Sequence, residues 1–272
     1  MKLLPILPIC LGLFASSAVN CQVGTPSVGY VRYPTDGVRG IYGLEGNYIV
    51  AGTVAAEAKA ASFSEAGGLI FSPGSLTLAD SHFATVASTE VSDSDAILRL
   101  DGDLNTAIAW LPMGHLLVHW NGQSFVTIPV AEGSIADGAT SVRKLDANTA
   151  SLLVPKPDTT VVRYVVSLRT GQLKSSTTVP GASGYAFENG NRILCFKDGR
   201  LSVFTQTGET LQVLPVAADG DLLIEQASNE CLHLGTRTPG EDWLLHLGDG
   251  LFHLYRLPAP RRVAGPVTES AQ

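Results

Sequence analysis

Cysteine is scarce, basic residues are few, and beyond residue 20 no apolar run is long enough to cross a membrane as a helix. Each shortage excludes something. Of four cysteines, Cys10 lies in an N-terminal leader, which leaves Cys21, Cys195 and Cys231. An odd number makes no disulfide framework. Cys195 and Cys231 are 36 residues apart, close to the repeat length found below. Equivalent positions on neighbouring stacked sheets lie ~10 Å apart, whereas a disulfide needs Cα atoms within about 7 Å, so both are expected as buried thiols. With 18 Lys and Arg against 25 Asp and Glu the net charge is −7. That argues against nucleic acid, whose phosphates require a basic face. Charged residues are only 16% of the chain. Gly-x-Ser-x-Gly elbow, P-loop and dinucleotide fingerprint are all missing, and with them the usual signs of nucleophilic and nucleotide chemistry.

What is present begins with MKLLPILPICLGLFASSAVNC. Lys2, the apolar stretch Leu3 to Phe14 and the small residues Ser16-Ser17-Ala18 form a secretory signal, with cleavage expected after Ala18. Lipidation of Cys21 is disfavoured because Asn20 stands where a small residue is needed. The chain then divides into an extended segment over 19–37, a repeat domain over 38–259 and a flexible tail over 260–272. The Ala-rich stretch Thr53 to Phe63 reads as a helix by propensity or as a tightly packed small-residue strand.

The repeat is clearest at Ile193 to Val216. Asp198-Gly199 and Thr207-Gly208 separate three short runs of Val, Leu, Phe and Thr, as antiparallel hairpins do. Two-residue turns would set Ile193 opposite Phe204, Leu194 opposite Val203, Phe204 opposite Leu211 and Val203 opposite Gln212. Both faces of this sheet are then largely apolar, as in a sheet packed on both sides. Hairpin glycines recur at Gly122, Gly171, Gly208 and Gly250, spaced 49, 37 and 42 residues, and prolines close the outgoing strands at Pro129, Pro180, Pro215 and Pro258. Proline lacks a ladder donor and belongs at an edge or strand end. A period near ~40 residues with four strands per unit marks a β-propeller. The expected fold is all-β, with five or six blades of four antiparallel strands.

The hairpins Ser167-Leu168-Arg169-Thr170-Gly171-Gln172 and Phe204-Thr205-Gln206-Thr207-Gly208-Glu209 resemble the "TG-[EKQ]" turns of secreted bacterial propellers, including the YVTN, PQQ-repeat and WD40-like families. The resemblance implies a propeller in an exported setting. Neither the Trp-Asp dipeptide of WD40 repeats nor the terminal Trp of many PQQ repeats is found, so quinone binding is not implied.

Several local patterns imitate chemistry. Asp101-Gly102-Asp103-Leu104-Asn105 opens like a calcium loop, but Thr106 and Pro112 stand where Gly and Glu are required; it reads as a polar turn. Ser141-Val142-Arg143-Lys144 matches Ser-x-x-Lys, but on a strand three positions apart means opposite faces. His115 and His119 are ~13 Å apart along one strand, too far to share a metal. In the last unit His246 is expected opposite His253 across Asp249-Gly250. If Pro239-Gly240 centres the preceding turn, His233 stands opposite His246, and the three imidazoles form a row able to hold Zn²⁺. Otherwise they are packed or surface histidines. No other cofactor is expected. The leading functional expectation is an exported, secreted or periplasmic, non-catalytic propeller that binds or scaffolds a protein or glycan partner. The alternative is a carbohydrate-active hydrolase or lyase with carboxylates or histidines at the channel mouth.

Overall fold

In the computed structural model, residues 25–131, 136–218, 222–236, 241–248 and 250–259 are described. The signal sequence, the tail over 260–272 and the Pro239-Gly240 turn lie outside them. Among the described residues twenty-three strands form six antiparallel sheets. Sheet 1 holds β1 (Ser27–Tyr33), β2 (Gly37–Leu44) and β3 (Asn47–Ala55). Sheet 2 holds β4 (Ala60–Ser64), β5 (Gly67–Ser72), β6 (Ser75–Asp80) and β7 (Thr85–Glu90). Sheet 3 holds β8 (Ile97–Arg99), β9 (Ile108–Leu111), β10 (Leu116–Trp120) and β11 (Phe125–Pro129). Sheet 4 holds β12 (Ser141–Lys144), β13 (Thr149–Pro155), β14 (Val161–Ser167) and β15 (Leu173–Val179). Sheet 5 holds β16 (Tyr185–Asn189), β17 (Arg192–Lys197), β18 (Arg200–Thr205) and β19 (Thr210–Pro215). Sheet 6 holds β20 (Leu222–Gln226), β21 (Cys231–Thr236), β22 (Trp243–His246) and β23 (His253–Arg256).

The apolar side chains show how the sheets are arranged. Side chains alternate across a strand, and in β17 Ile193 and Cys195 pack with sheet 4 while Leu194 and Phe196 pack with sheet 6. The same division holds around the molecule. Six buried clusters join sheets 1 and 2, 2 and 3, 3 and 4, 4 and 5, 5 and 6, and finally 6 and 1. A cluster at every junction closes the sheets into a ring, which is a six-bladed β-propeller. Truncating one of these shared residues, such as the fully buried Leu194, would cost about 2–5 kcal/mol.

Register follows the turns closely. Ile193 pairs with Phe204 and Leu194 with Val203, as the Asp198-Gly199 turn requires. The next hairpin differs: Val203 faces Gln212, but Phe204 faces Thr210 rather than Leu211. Gly208 has φ +89° and donates its N–H to the Thr205 carbonyl, while Thr205 N–H bonds Glu209 O. This turn consumes an extra residue, which appears as a bulge between Val203 and Phe204. The Thr170-Gly171 hairpin has a matching bulge between Val165 and Val166.

Near the N-terminus one expectation is corrected and one open alternative is decided. The stretch 19–37 is not simply an extended leader, because β1 is a full member of sheet 1. The segment 53–63 forms the end of β3 and the start of β4, so the small-residue strand reading holds. A 3-10 turn spans Leu104–Thr106.

Among the described residues sheet 1 has three strands where the others have four. The inner strand β20 packs directly on the inner strand β4, and β1 touches β4 and β21 from behind. Among the described residues, five inner strands line the channel of the six blades. Tyr30 N–H bonds the Ala227 carbonyl at 2.9 Å to seal this joint. Only glycine fits beside it: Gly29 has φ +151°, and a Cβ there would lie 2.3 Å from Ala227 O. Gly29→Ala is expected to lower stability by about 3 kcal/mol. Gly74→Ala, also at positive φ but with open space around it, should cost about 1 kcal/mol. Urea unfolding of both variants checks this; equal losses would show that the joint is not tight.

Candidate functional site

The inner strands β4, β8, β12, β16 and β20 all begin at one end of the channel, and β1 ends there. Between them lies a cavity of about 340 Å³ whose polar lining includes Arg32, Lys59, Asp95, Tyr185 and Glu225. Its apolar lining comes from the same strands, including Ala60, Ile97 and Leu223. Lys59 and Asp95 are exposed at the rim. Glu225 points inward and is held from several directions.

Arg32 Nε donates to Glu225 Oε1 at 2.9 Å, and Ala61 N–H reaches the same oxygen at 3.4 Å. On the other side His233 Nδ1 stands 3.7 Å from Glu225 Oε2, and His233 Nε2 lies 2.9 Å from Asp242 Oδ1. The Arg32, Glu225, His233 and Asp242 side chains are only 3–15% exposed, so their charges are poorly screened. Burial alone would raise the Glu225 carboxyl, but Arg32 and His233 outweigh it and hold the group below its ordinary 4.5. Burial likewise opposes an imidazolium at His233, but Asp242 and Glu225 outweigh it and raise its pKa above 6.5. Glu225 beside it raises Arg32 further. The four groups form a chain of alternating charge.

A second buried network crosses the inner strands on the other side of the ring. Arg99 Nε donates to Asp101 Oδ1 at 2.5 Å, and Arg143 Nε donates to Asp101 Oδ2 at 2.9 Å. Arg163 Nη2 and Ser151 Oγ donate to the two oxygens of Glu188, each at 2.7 Å. The Arg99 guanidinium also lies 4.7 Å over the Phe187 ring. These bonds tie sheets 3, 4 and 5 together around the channel. The calcium-like stretch is a turn, in which Asp101 serves the arginines and Asp103 accepts from Asn105 N–H at 2.7 Å. Ser141 and Lys144 act separately: Ser141 Oγ accepts from Glu188 N–H, and Lys144 Nζ donates to Asn105 and Trp120 carbonyls.

The three histidines of sheet 6 do not form the expected row. His246 does face His253, but Cys231 stands opposite His246, and His233 stands opposite Leu244. The two-residue offset keeps His233 on the same face as His246, about 7 Å further along the strand. His233 is taken by Asp242 and Glu225, His246 lies 3.2 Å from Glu45 Oε1, and His253 stacks on Tyr255. Among the described residues no three His, Cys, Asp or Glu side chains gather with the spacing of a metal site. Of the earlier pair, His119 is buried, with its pKa lowered by burial and by Lys144. His115 is half-exposed on Trp110, 2.8 Å from Asp137. Cys195 and Cys231 are free buried thiols, and burial pushes them up to about 12 and about 11 respectively.

Sequence reasoning singled out His233 for a different partner and missed Arg32, Glu225 and Asp242. The available signal was a charge inside an apolar strand, as in Leu222-Leu223-Ile224-Glu225-Gln226, where burial demands a partner.

No protein-family model matches the chain, and no curated protein matches it in sequence. Solved structures of similar path include the β-propeller domain of Myceliophteria thermophila Cps50 (Swd1), at 13% identity over 87% of each chain and a TM-score of 0.49. Another is PorZ, a bacterial surface component of the type-IX secretion system of Porphyromonas gingivalis, at 14% identity and a TM-score of 0.45. The match covers 86% of this chain and 38% of PorZ. The WD40 domain of Toxoplasma gondii coronin is 9% identical, with 83% of this chain and 70% of that one covered and a TM-score of 0.43. At these values no role passes from those proteins to this one, and the propeller assignment rests on the closed ring of sheets.

The charged chain at Glu225 makes stability pH-dependent. The raised His233 pKa contributes stability that is complete below 6.5 and is lost as pH rises through the raised value. The lowered Glu225 pKa contributes stability that is complete above 4.5 and is lost as pH falls through the lowered value. The contribution of this cluster should therefore be greatest between 4.5 and 6.5. Melting temperatures of wild type and His233→Gln from below 4.5 to well above 6.5 check it: the variant should lose the decline above 6.5, and an unchanged profile would contradict the pairing.

Proposed function

We propose that the protein is an exported, non-catalytic binding propeller that receives a protein partner at the channel mouth, with one partner side chain entering the cavity. The observation that carries this is the state of the mouth's acids and bases. Glu225, the buried carboxylate of the cavity wall, is committed to Arg32 and His233, and its pKa is shifted down. A general acid for glycoside chemistry needs the opposite shift, which weighs against the alternative of a carbohydrate-active hydrolase or lyase. What the mouth offers instead is a rigid concave surface of size suited to a side chain, with exposed Lys59 at its edge. Export is supported by the leader over 1–18 and by the resemblance of the Thr-Gly hairpins to those of secreted propellers.

Two measurements test the reading. N-terminal sequencing of protein recovered from outside the cytoplasm should begin after Ala18; an intact Met1 would overturn export. Selection of displayed peptides on the mature protein, followed by titration of the winners, should yield ligands that Lys59→Glu weakens at least about tenfold, the effect expected for one interfacial charge. Ligands indifferent to Lys59, or turnover of glycan substrates that Glu225→Gln abolishes, would contradict it.

A further inference from the structure

Of the inner strands that start at the mouth, β4 and β20 end beside a second cavity, of about 360 Å³. It is bounded by the first half of β1, by the residues following β4 and β20, and by the loop between β6 and β7. Its walls carry three aromatic rings, Tyr30, Phe63 and Phe83. Tyr30 and Phe83 meet edge to face, with centroids 4.7 Å apart and planes at 77°. Phe63 backs both, at 5.1 Å from Tyr30 and 6.1 Å from Phe83. Phe63 is buried, with its ring over Gly68, where a Cβ would lie 2.5 Å from the ring. Tyr30 and Phe83 are half-buried and remain open to a ligand.

Phe83 is held there against its backbone preference. Its φ is +62°, a conformation natural to glycine and costly for a bulky aromatic. The loop enforces it: Asp80 Oδ1 accepts from both His82 N–H and Ala84 N–H, and Phe83 N–H bonds Asp80 O. Strain retained in this way is a pointer to use. The charged residues of the lining are Glu65 and Asp80, and no Lys or Arg is among them.

We infer that this cavity is a binding site for a small organic cation bearing a methylated ammonium group. The ring quadrupoles of Tyr30 and Phe83 attract positive charge, and the two carboxylates add to it. The lining holds no cationic side chain to pair with an anion. Two steeply inclined rings make a corner that fits a compact, rounded head group better than a flat sugar ring, which would stack on one face alone. The four serines of the lining, Ser27, Ser64, Ser81 and Ser228, serve the polar remainder of such a ligand.

Isothermal titration of the full mature chain with choline tests the site. The controls are choline's neutral carbon isostere, in which carbon replaces the ammonium nitrogen, and methyl glucoside. Choline should bind saturably and about tenfold more tightly than the isostere, the ratio for a partly desolvated cation–π contact. Phe83→Gly, which removes the ring and relieves the backbone, should keep the melting temperature and lose choline binding. Should that variant fail to fold, Glu65→Gln with Asp80→Asn keeps the loop acceptor and should weaken choline severalfold without affecting the isostere. No saturable choline binding, equal binding of isostere or glucoside, or affinity unmoved by any folded variant would each overturn the assignment.

Discussion

The ring closes on one carboxylate. Glu225 stands on β20, takes Arg32 from β1, receives Ala61 N–H from β4 and faces His233 on β21. Three sheets meet at that group. Apolar clusters lie at every junction between blades, this one included, and the inner strands pack side by side around the ring. Among the described residues sheet 1 has no inner strand, and the bonds that Glu225 accepts from Arg32 and Ala61 N–H attach it at the channel. Burying these charges is costly unless each is paired, and the alternating order Arg32, Glu225, His233, Asp242 pairs them. A pairing of this kind also fixes register, because a one-residue slip of β1 would turn Arg32 away from Glu225.

The same constraint shapes what the two cavities can do. At the mouth, the residues best suited to proton transfer are spent on closure, and the exposed groups are a rim lysine and a rim aspartate. The Arg99, Asp101, Arg143, Arg163 and Glu188 network commits further charge to holding sheets 3 to 5. In the second cavity, the space beside β1 is walled by aromatic rings and acids. On the proposed reading both cavities are places for recognition, on a scaffold that commits its buried ion pairs to fixing shape.

Much of the architecture was legible because it rests on local chemistry. Glycine-containing turns at regular spacing announced the hairpins, and apolar residues on both faces of Ile193 to Val203 announced a stacked sheet. Other strands gave weaker signals. Tyr185–Asn189 and Ser75–Asp80 carry polar residues that hid their strand character, and β1 followed a stretch rich in Pro, Gly and Ser. The site was less legible still. His233 was noticed, but its offset from His246 depends on a turn length that composition does not fix. Arg32 and Glu225 are 193 residues apart, and only closure of the ring brings them together. The bulges after Thr170-Gly171 and Thr207-Gly208 show the same limit at short range: the glycine marks the turn but not the number of residues it consumes.

The dependence of closure on Glu225 is most directly tested by a double-mutant cycle with Arg32→Met and Glu225→Leu, read by denaturant unfolding. Each single change strips a largely buried charge of its nearest partner and should cost about 3 kcal/mol. The double variant removes both charges and should cost well under the sum, with a coupling energy of about 2 kcal/mol. Losses that add to within about 0.5 kcal/mol would mean that the pair is incidental and that the ring closes by packing alone.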